Sequence, residues 1–262
     1  MTDIVTPDSR HLFDLAYATL SPAQRLDLYW PSEGSGPFPV IVSIHGGAFL
    51  GGDKRDDQVR PMLEGLARGY AVASLNYRLS GEAHFPALIH DAKAAIRWLR
   101  ANSAAYRLDP TRFAAWGGSA GGYLALMVGL TANRPELDDL SLGAPEETCA
   151  VQAVVDWFGP TDFLEMDAQL AESGLAPAPG DEHNGPRSPE SLLLGTPITG
   201  APELVARANP ETYVHPAAPP TLIQHGLRDP IVPHQQSIGI AETLRATVGD
   251  ERVTLDLLPG AG

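Results

Sequence analysis

The segment Gly117-Gly118-Ser119-Ala120-Gly121 fits G-x-S-x-G, and it falls directly after an apolar run at 112–116 and directly before an uncharged apolar stretch at 121–132. A strand that reverses this tightly into a helix has no room for side chains on its flanks. Glycines therefore surround the serine, and its hydroxyl projects above the sheet edge. The helix that follows aims its first N–H groups at the same place, which sets the amide of Ala120 where it can stabilise an oxyanion. These are parts for nucleophilic acyl transfer. The competing reading is a glycine-rich turn with an incidental serine.

His45-Gly46-Gly47-Ala48-Phe49 follows another buried run, 40–44, and is similar to the HGGG-type loop that supplies further oxyanion donors. The amides of Gly47 and Ala48 are the expected donors, and His45 is expected to hold the loop by hydrogen bonds. A third apolar run, 221–224, leads into His225-Gly226-Leu227-Arg228-Asp229-Pro230-Ile231-Val232-Pro233. A carboxylate on such a loop can orient a histidine and stabilise the imidazolium formed during attack, which makes Asp229 the candidate acid. No histidine follows His234 in the sequence. His234 is the nearest alternative base, and His225, at a strand end, reads as structural. Without a base, a serine is a weak nucleophile.

Phe49, Trp157 and Phe158, next to motif loops, and Tyr123, at the start of the helix after Ser119, are the candidate substrate-binding aromatics. Asp162 is expected to cap the segment after it, and Asp91 to pair with Arg78. His11, His84, His183 and His215 are scattered without ligand spacing, so no metal is predicted, and no cofactor.

Short runs rich in β-branched residues alternate with amphipathic stretches, the pattern of an α/β protein with helices on both faces of a mostly parallel sheet of about eight strands. Segments 12–18 and 25–30 suit an antiparallel hairpin at the sheet edge. Helices are expected over 59–68, 85–106, 121–132 and 237–246, with a weaker one at 201–208. Strands are expected at 71–76, 112–116, 151–157 and 253–258, with a turn at 109–111. The acidic stretch 133–147 reads as a solvated loop. Some sixty residues between Gly159 and Pro220 lack a core strand, and an insertion of that length suggests a small lid.

The 262 residues carry 18 Lys+Arg against 32 Asp+Glu, a net charge of −14, which argues against nucleic acid or an anionic membrane as partner. One cysteine, Cys149, excludes an intramolecular disulfide. No apolar run reaches the roughly 18 residues of a membrane span, and 1–8 lacks a basic end followed by an apolar core, so a soluble, cytoplasmic protein is expected.

Through HGGAF at 45–49, NYRLS at 76–80, GGSAGG at 117–122, DWFGPTD at 156–162 and HGLRDPIVP at 225–233, the chain resembles α/β-hydrolases of the hormone-sensitive-lipase-like and bifunctional feruloyl and acetyl-xylan esterase (BD-FAE) type. The resemblance covers nearly the whole chain. It implies a single α/β-hydrolase domain over 1–262 with a lid-like insertion at about 160–218. It also implies a serine carboxylic-ester hydrolase acting on short-chain acyl, acetyl or feruloyl-type esters through an acyl-enzyme, with a small-molecule ester as its substrate and no nucleic acid or membrane as partner. In such relatives the last strand leads to a Gly-x-Gly-His loop and a closing helix, so the catalytic histidine is expected just after Gly262. An amide-cleaving member of the superfamily is the second reading. A catalytically silent binding protein is the third, if the chain natively ends at Gly262.

Overall fold

The computed structural model describes residues 10–175, 177, 179–180 and 182–262. In chain order its elements are β1 (His11–Ala16), β2 (Arg25–Tyr29), β3 (Phe38–Ile44), α1 (Arg60–Leu63), β4 (Ala71–Leu75), α2 (Ala87–Ala101) and α3 (Ser103–Tyr106). They continue with β5 (Leu108–Gly118), α4 (Ala120–Thr131), β6 (Ala153–Trp157), α5 (Met166–Glu172), α6 (Pro189–Leu194), α7 (Pro202–Ala208), β7 (Thr221–Gly226), α8 (Gln235–Val248) and β8 (Val253–Leu258). The strands form one sheet in the order β1-β2-β4-β3-β5-β6-β7-β8. β1 and β2 pair antiparallel at one edge, β2 joins β4 antiparallel, and every pairing from β4 through β3 to β8 is parallel.

This order decides where chemistry can occur. The chain runs from β3 outward to β4 and then returns to the other side of β3 with β5, so the connections diverge between β3 and β5. A crevice opens at such a switch point beyond the carboxyl ends of the strands. The registers Ile44 with Gly117, Gly118 with Trp157, and Gly226 with Leu258 bring the ends of β3, β5, β6, β7 and β8 to one rim. The three motif loops all leave the sheet there.

β3 and β4 are nearly continuous runs of buried residues because helices cover both faces. α4 is apolar all round, and every residue in it is buried. Each such Leu, Met or Val removed from water contributes about 1.5–3 kcal/mol, so the helix that carries the serine corner is anchored on all sides.

The strand-to-helix crossing at Arg78 is braced as expected. Asp91, fully buried on α2, accepts from the Arg78 guanidinium at 2.8 and 2.9 Å, from the Arg78 amide at 2.9 Å and from Gln24 at 2.7 Å. Removing one partner of a buried pair strands the other charge, so Asp91→Ala is expected to cost about 3–5 kcal/mol. A urea midpoint unchanged from the parent protein would contradict that.

Several expectations are corrected. The segment 133–147 is only in part the solvated loop expected: Glu136, Leu140, Ser141 and Glu146 are exposed, but Leu137 and Leu142 are buried, and the buried Arg97 reaches into it to bond Asp138 and the carbonyls of Asp139 and Leu142. The Asp138 carboxylate and two carbonyls of the segment satisfy a core cation. Residues 109–111 lie within β5, where Leu108 pairs with Phe38 before the register shifts. The stretch 59–68 breaks into α1 flanked by 3₁₀ turns, with Gly69 in the left-handed region ending it. The 85–106 helix divides at Asn102 into α2 and α3. Within the insertion, Met166, Leu170, Leu193, Ile198 and Val205 are buried, so much of it is packed onto the body. Among the described residues no helix is long and apolar enough to cross a membrane.

Candidate active site

Ser119 sits between β5 and α4 with φ 55° and ψ −126°, a conformation costly for a residue with a Cβ. It is held there by hydrogen bonds from its own amide to the Trp157 carbonyl (2.8 Å) and from the Tyr123 amide to its carbonyl (3.0 Å). The flanking glycines are steric requirements. A Cβ at Gly117 would stand 2.3 Å from the Gly121 backbone, and one at Gly121 would stand 2.1 Å from the Ile44 carbonyl oxygen. The Ser119 side chain is half-buried, and among the described residues its hydroxyl has no hydrogen-bond partner.

The 45–49 loop lies directly against this corner: a Cβ on Gly46 would be 3.2 Å from that of Ser119. The Gly46 amide is occupied by Gln58 Oε1 at 2.8 Å. Gly47, Ala48 and Phe49 follow with φ of 122°, 54° and 62°, a run of positive-φ residues just past the end of β3. Gly47 and Ala48 are exposed, and among the described residues their amides carry no hydrogen bond. Ala120 is the first residue of α4 and is buried. His45 is buried. Its ring stacks on Tyr77 at 4.5 Å, its Nδ1 donates to the Gly46 carbonyl at 2.7 Å, and the Tyr77 hydroxyl donates to the His45 carbonyl at 2.8 Å. Burial keeps its pKa below the ordinary histidine value. In this structure His45 therefore braces the loop.

The loop after β7 is a tight turn built on Asp229, whose Oδ1 accepts from the amides of Ile231 (2.8 Å) and Val232 (3.0 Å). Its Oδ2 lies 3.6 Å from His225 Nε2. Burial pushes the Asp229 carboxyl up, but the His225 ring and the two amides outweigh it and hold the group below the usual carboxylate range. His225 is fully buried: Nε2 donates to the Val232 carbonyl (2.8 Å), and Nδ1 accepts from the Ser237 hydroxyl (2.7 Å). Both its nitrogens are engaged in holding the turn.

A cavity of about 540 Å³ opens beside Asp229, with Trp157, Phe158, Ile231 and Leu258 on its wall. At its edge the end of β8 folds back, the Arg228 amide donating to the Ala261 carbonyl at 2.9 Å. Ser119 is not on this wall. Trp157 and Phe158 bridge the two, since Trp157 bonds the Ser119 amide and a Cβ on Gly118 would meet the Phe158 ring at 3.3 Å.

Phe49 and Tyr123 are corrected as substrate-binding residues. At 2% and 0% exposure they are core residues, packed edge-on at 5.3 Å and both against Phe163. The left-handed φ of Phe49 turns its ring inward. Asp162 accepts from the Leu164 amide at 3.2 Å, a local cap. Gln58 and Asp156 were not singled out. No spacing marks Gln58, but Asp156 is a carboxylate inside an apolar strand, a visible signal. Fully buried, it is pushed up to about 7; one oxygen accepts from the Gly159 amide and the other has no partner. Among the described residues no group of three or more His, Cys, Asp or Glu is placed to hold a metal ion.

Residues 26–244 match the BD-FAE family model. The chain is 32% identical over 241 residues to a probable carboxylic ester hydrolase, LipM, of Mycobacterium tuberculosis, covering 91% of this chain and 52% of LipM. It is 30% identical over 222 residues to the carboxylesterase NlhH of the same organism, covering 72% of this chain and 69% of NlhH. The chain spans about half the length of LipM, of the esterase LipQ and of the esterase LipC. Among solved structures, a truncated carbohydrate esterase from gut microbiota superposes with a TM-score of 0.80 at 33% identity, covering 96% of this chain and 88% of that one. A bifunctional GH43-CE protein of Bacteroides eggerthii gives 0.85 at 33% identity, covering 96% and 35%.

Proposed function

The chain belongs to the BD-FAE family of α/β-hydrolases, and from that premise we propose that it is a serine carboxylic-ester hydrolase acting on acetyl, feruloyl or other short-chain acyl esters. The observation that carries this reading is the left-handed Ser119, set against a loop whose Gly47 and Ala48 are exposed; among the described residues neither the Ser119 hydroxyl nor those two amides has a hydrogen-bond partner.

In this reading the Ser119 hydroxyl oxygen attacks the ester carbonyl carbon. The negative charge that develops on the carbonyl oxygen is taken by the amides of Gly47, Ala48 and Ala120, the kind of fixed backbone donors that stabilise such a charge. An imidazole takes the serine proton and returns it to the leaving alcohol, and Asp229 orients that imidazole and stabilises its charged form. Water then attacks the acyl-enzyme by the same route in reverse. His225 is unsuited to the task because both its nitrogens hold the turn. Trp157 and Phe158 supply an apolar wall for the acyl or aromatic part of the substrate, and a carbohydrate is the alcohol favoured by the likeness to a carbohydrate esterase. The test is release of acetate from p-nitrophenyl acetate and acetylated xylo-oligosaccharides, with imidazole added to the 262-residue chain. Binding without turnover would contradict the reading.

A further inference from the structure

The turn that presents Asp229 is held from outside by a second histidine, one with no place in the chemistry described above. His183 lies in the insertion, 6% exposed. Its Nε2 is 2.8 Å from the carbonyl oxygen of Ile231, two residues after Asp229, and its Nδ1 is 3.1 Å from Oε1 of Glu190, which is 3% exposed at the start of α6. A carbonyl oxygen can only accept, so Nε2 carries a proton; with Glu190 ionised its oxygen also only accepts, which places a second proton on Nδ1. The segment is fixed in turn by Asp167 on α5, whose two carboxylate oxygens accept from the amides of His183 and Asn184, each at 2.8 Å.

We infer that His183, as an imidazolium paired with Glu190, is a positioning residue that clamps the Asp229 turn to the insertion through the Ile231 carbonyl. The inference rests on the reading of Asp229 as the acid of the site. His225 holds the neighbouring Val232 carbonyl from inside the fold, so the turn is gripped on two successive carbonyls from opposite sides. The two grips differ chemically. His225 has a hydroxyl on its second nitrogen and can serve as a neutral ring, whereas His183 loses one of its two bonds when it loses a proton.

The groups facing His183 are Glu190 from α6, Asp167 from α5, and the Ile231 carbonyl from the Asp229 turn; Glu182 and Arg187 share the small cavity on its outer side. Burial disfavours the charged ring, but the Glu190 bond and charge, the Ile231 carbonyl and Asp167 outweigh it, and the pKa is raised above the ordinary histidine value. The clamp is therefore complete below the unfolded value of about 6.5 and is lost as pH rises through the elevated folded value.

Two readouts test this. In ¹⁵N-labelled protein, the His183 ring, assigned by its loss in His183→Gln, should show both nitrogens protonated at low pH and lose the second proton at a higher pH than an ordinary histidine; a ring that titrates at or below the ordinary histidine value overturns the inference. In steady-state hydrolysis of p-nitrophenyl acetate with imidazole added, His183→Gln should lower kcat about tenfold to a hundredfold with little change in KM, as expected for a misaimed group. Glu190→Gln should move the alkaline fall of kcat to lower pH by about one unit, the loss of a neighbouring opposite charge. Folded variants with parental kcat and an unmoved pH profile would overturn the clamp. Ser119→Ala turning over at the parental rate would instead overturn the hydrolase reading, and leaves the ring measurement to decide the clamp by itself.

Discussion

Ser119→Ala is expected to abolish the ester hydrolysis that added imidazole supports, down to the rate without protein, while leaving the fold intact. The loss is complete because serine and base act as a unit: once the nucleophilic oxygen is gone, added imidazole has no hydroxyl to activate. The fold survives because the Ser119 hydroxyl bonds no described residue, and its backbone is held by Trp157 and Tyr123 through peptide groups that alanine keeps. Imidazole added to the parent chain should raise its rate, and the same addition should leave the alanine variant unchanged. Equal rates in the two proteins, with superimposable circular dichroism, would place the nucleophile elsewhere.

The second large effect is on folding. Gly121→Ala inserts a methyl 2.1 Å from the Ile44 carbonyl oxygen and 2.8 Å from that of His45, inside the corner where β3 ends and α4 begins. Those atoms are backbone in a paired strand, so relief requires separating the 45–49 loop from the serine corner. Overpacking of this kind costs about 3 kcal/mol or more and displaces the oxyanion amides as well. The expected result is a large fall in the urea midpoint and no activity in whatever fraction folds. Gly81→Ala, where a Cβ meets nothing within 4 Å, is the control. A Gly121→Ala protein with parental stability and turnover would contradict the packing described.

These two effects rest on features that local sequence makes visible. A glycine pair around a serine between a strand and a helix reports a backbone constraint, and the constraint is local. The same holds for β1 and β2, whose alternation predicts an edge hairpin, and for Asp91, a carboxylate on the buried face of α2 that needs a cation. What the sequence does not display is where a left-handed backbone sends a side chain. Phe49 and Tyr123 stand beside motif residues, yet the φ of Phe49 and the central course of α4 carry both rings into the core. Segment 133–147 is hidden for a different reason: its charges read as solvated until Arg97, some forty residues earlier, is seen to bond into it. The His183 clamp joins positions 48 residues apart across the insertion, and no spacing rule connects them.

The central claim is that three backbone corners surround one reacting centre, and trapping that centre tests it most directly. The protein is incubated with diethyl p-nitrophenyl phosphate in the presence of imidazole, mapped by peptide mass and crystallised. The account predicts a single diethylphosphoryl group on Ser119, with its phosphoryl oxygen about 3 Å from the amides of Gly47, Ala48 and Ala120. Modification of a different residue, or a Ser119 adduct whose oxygen points away from those amides, would contradict it.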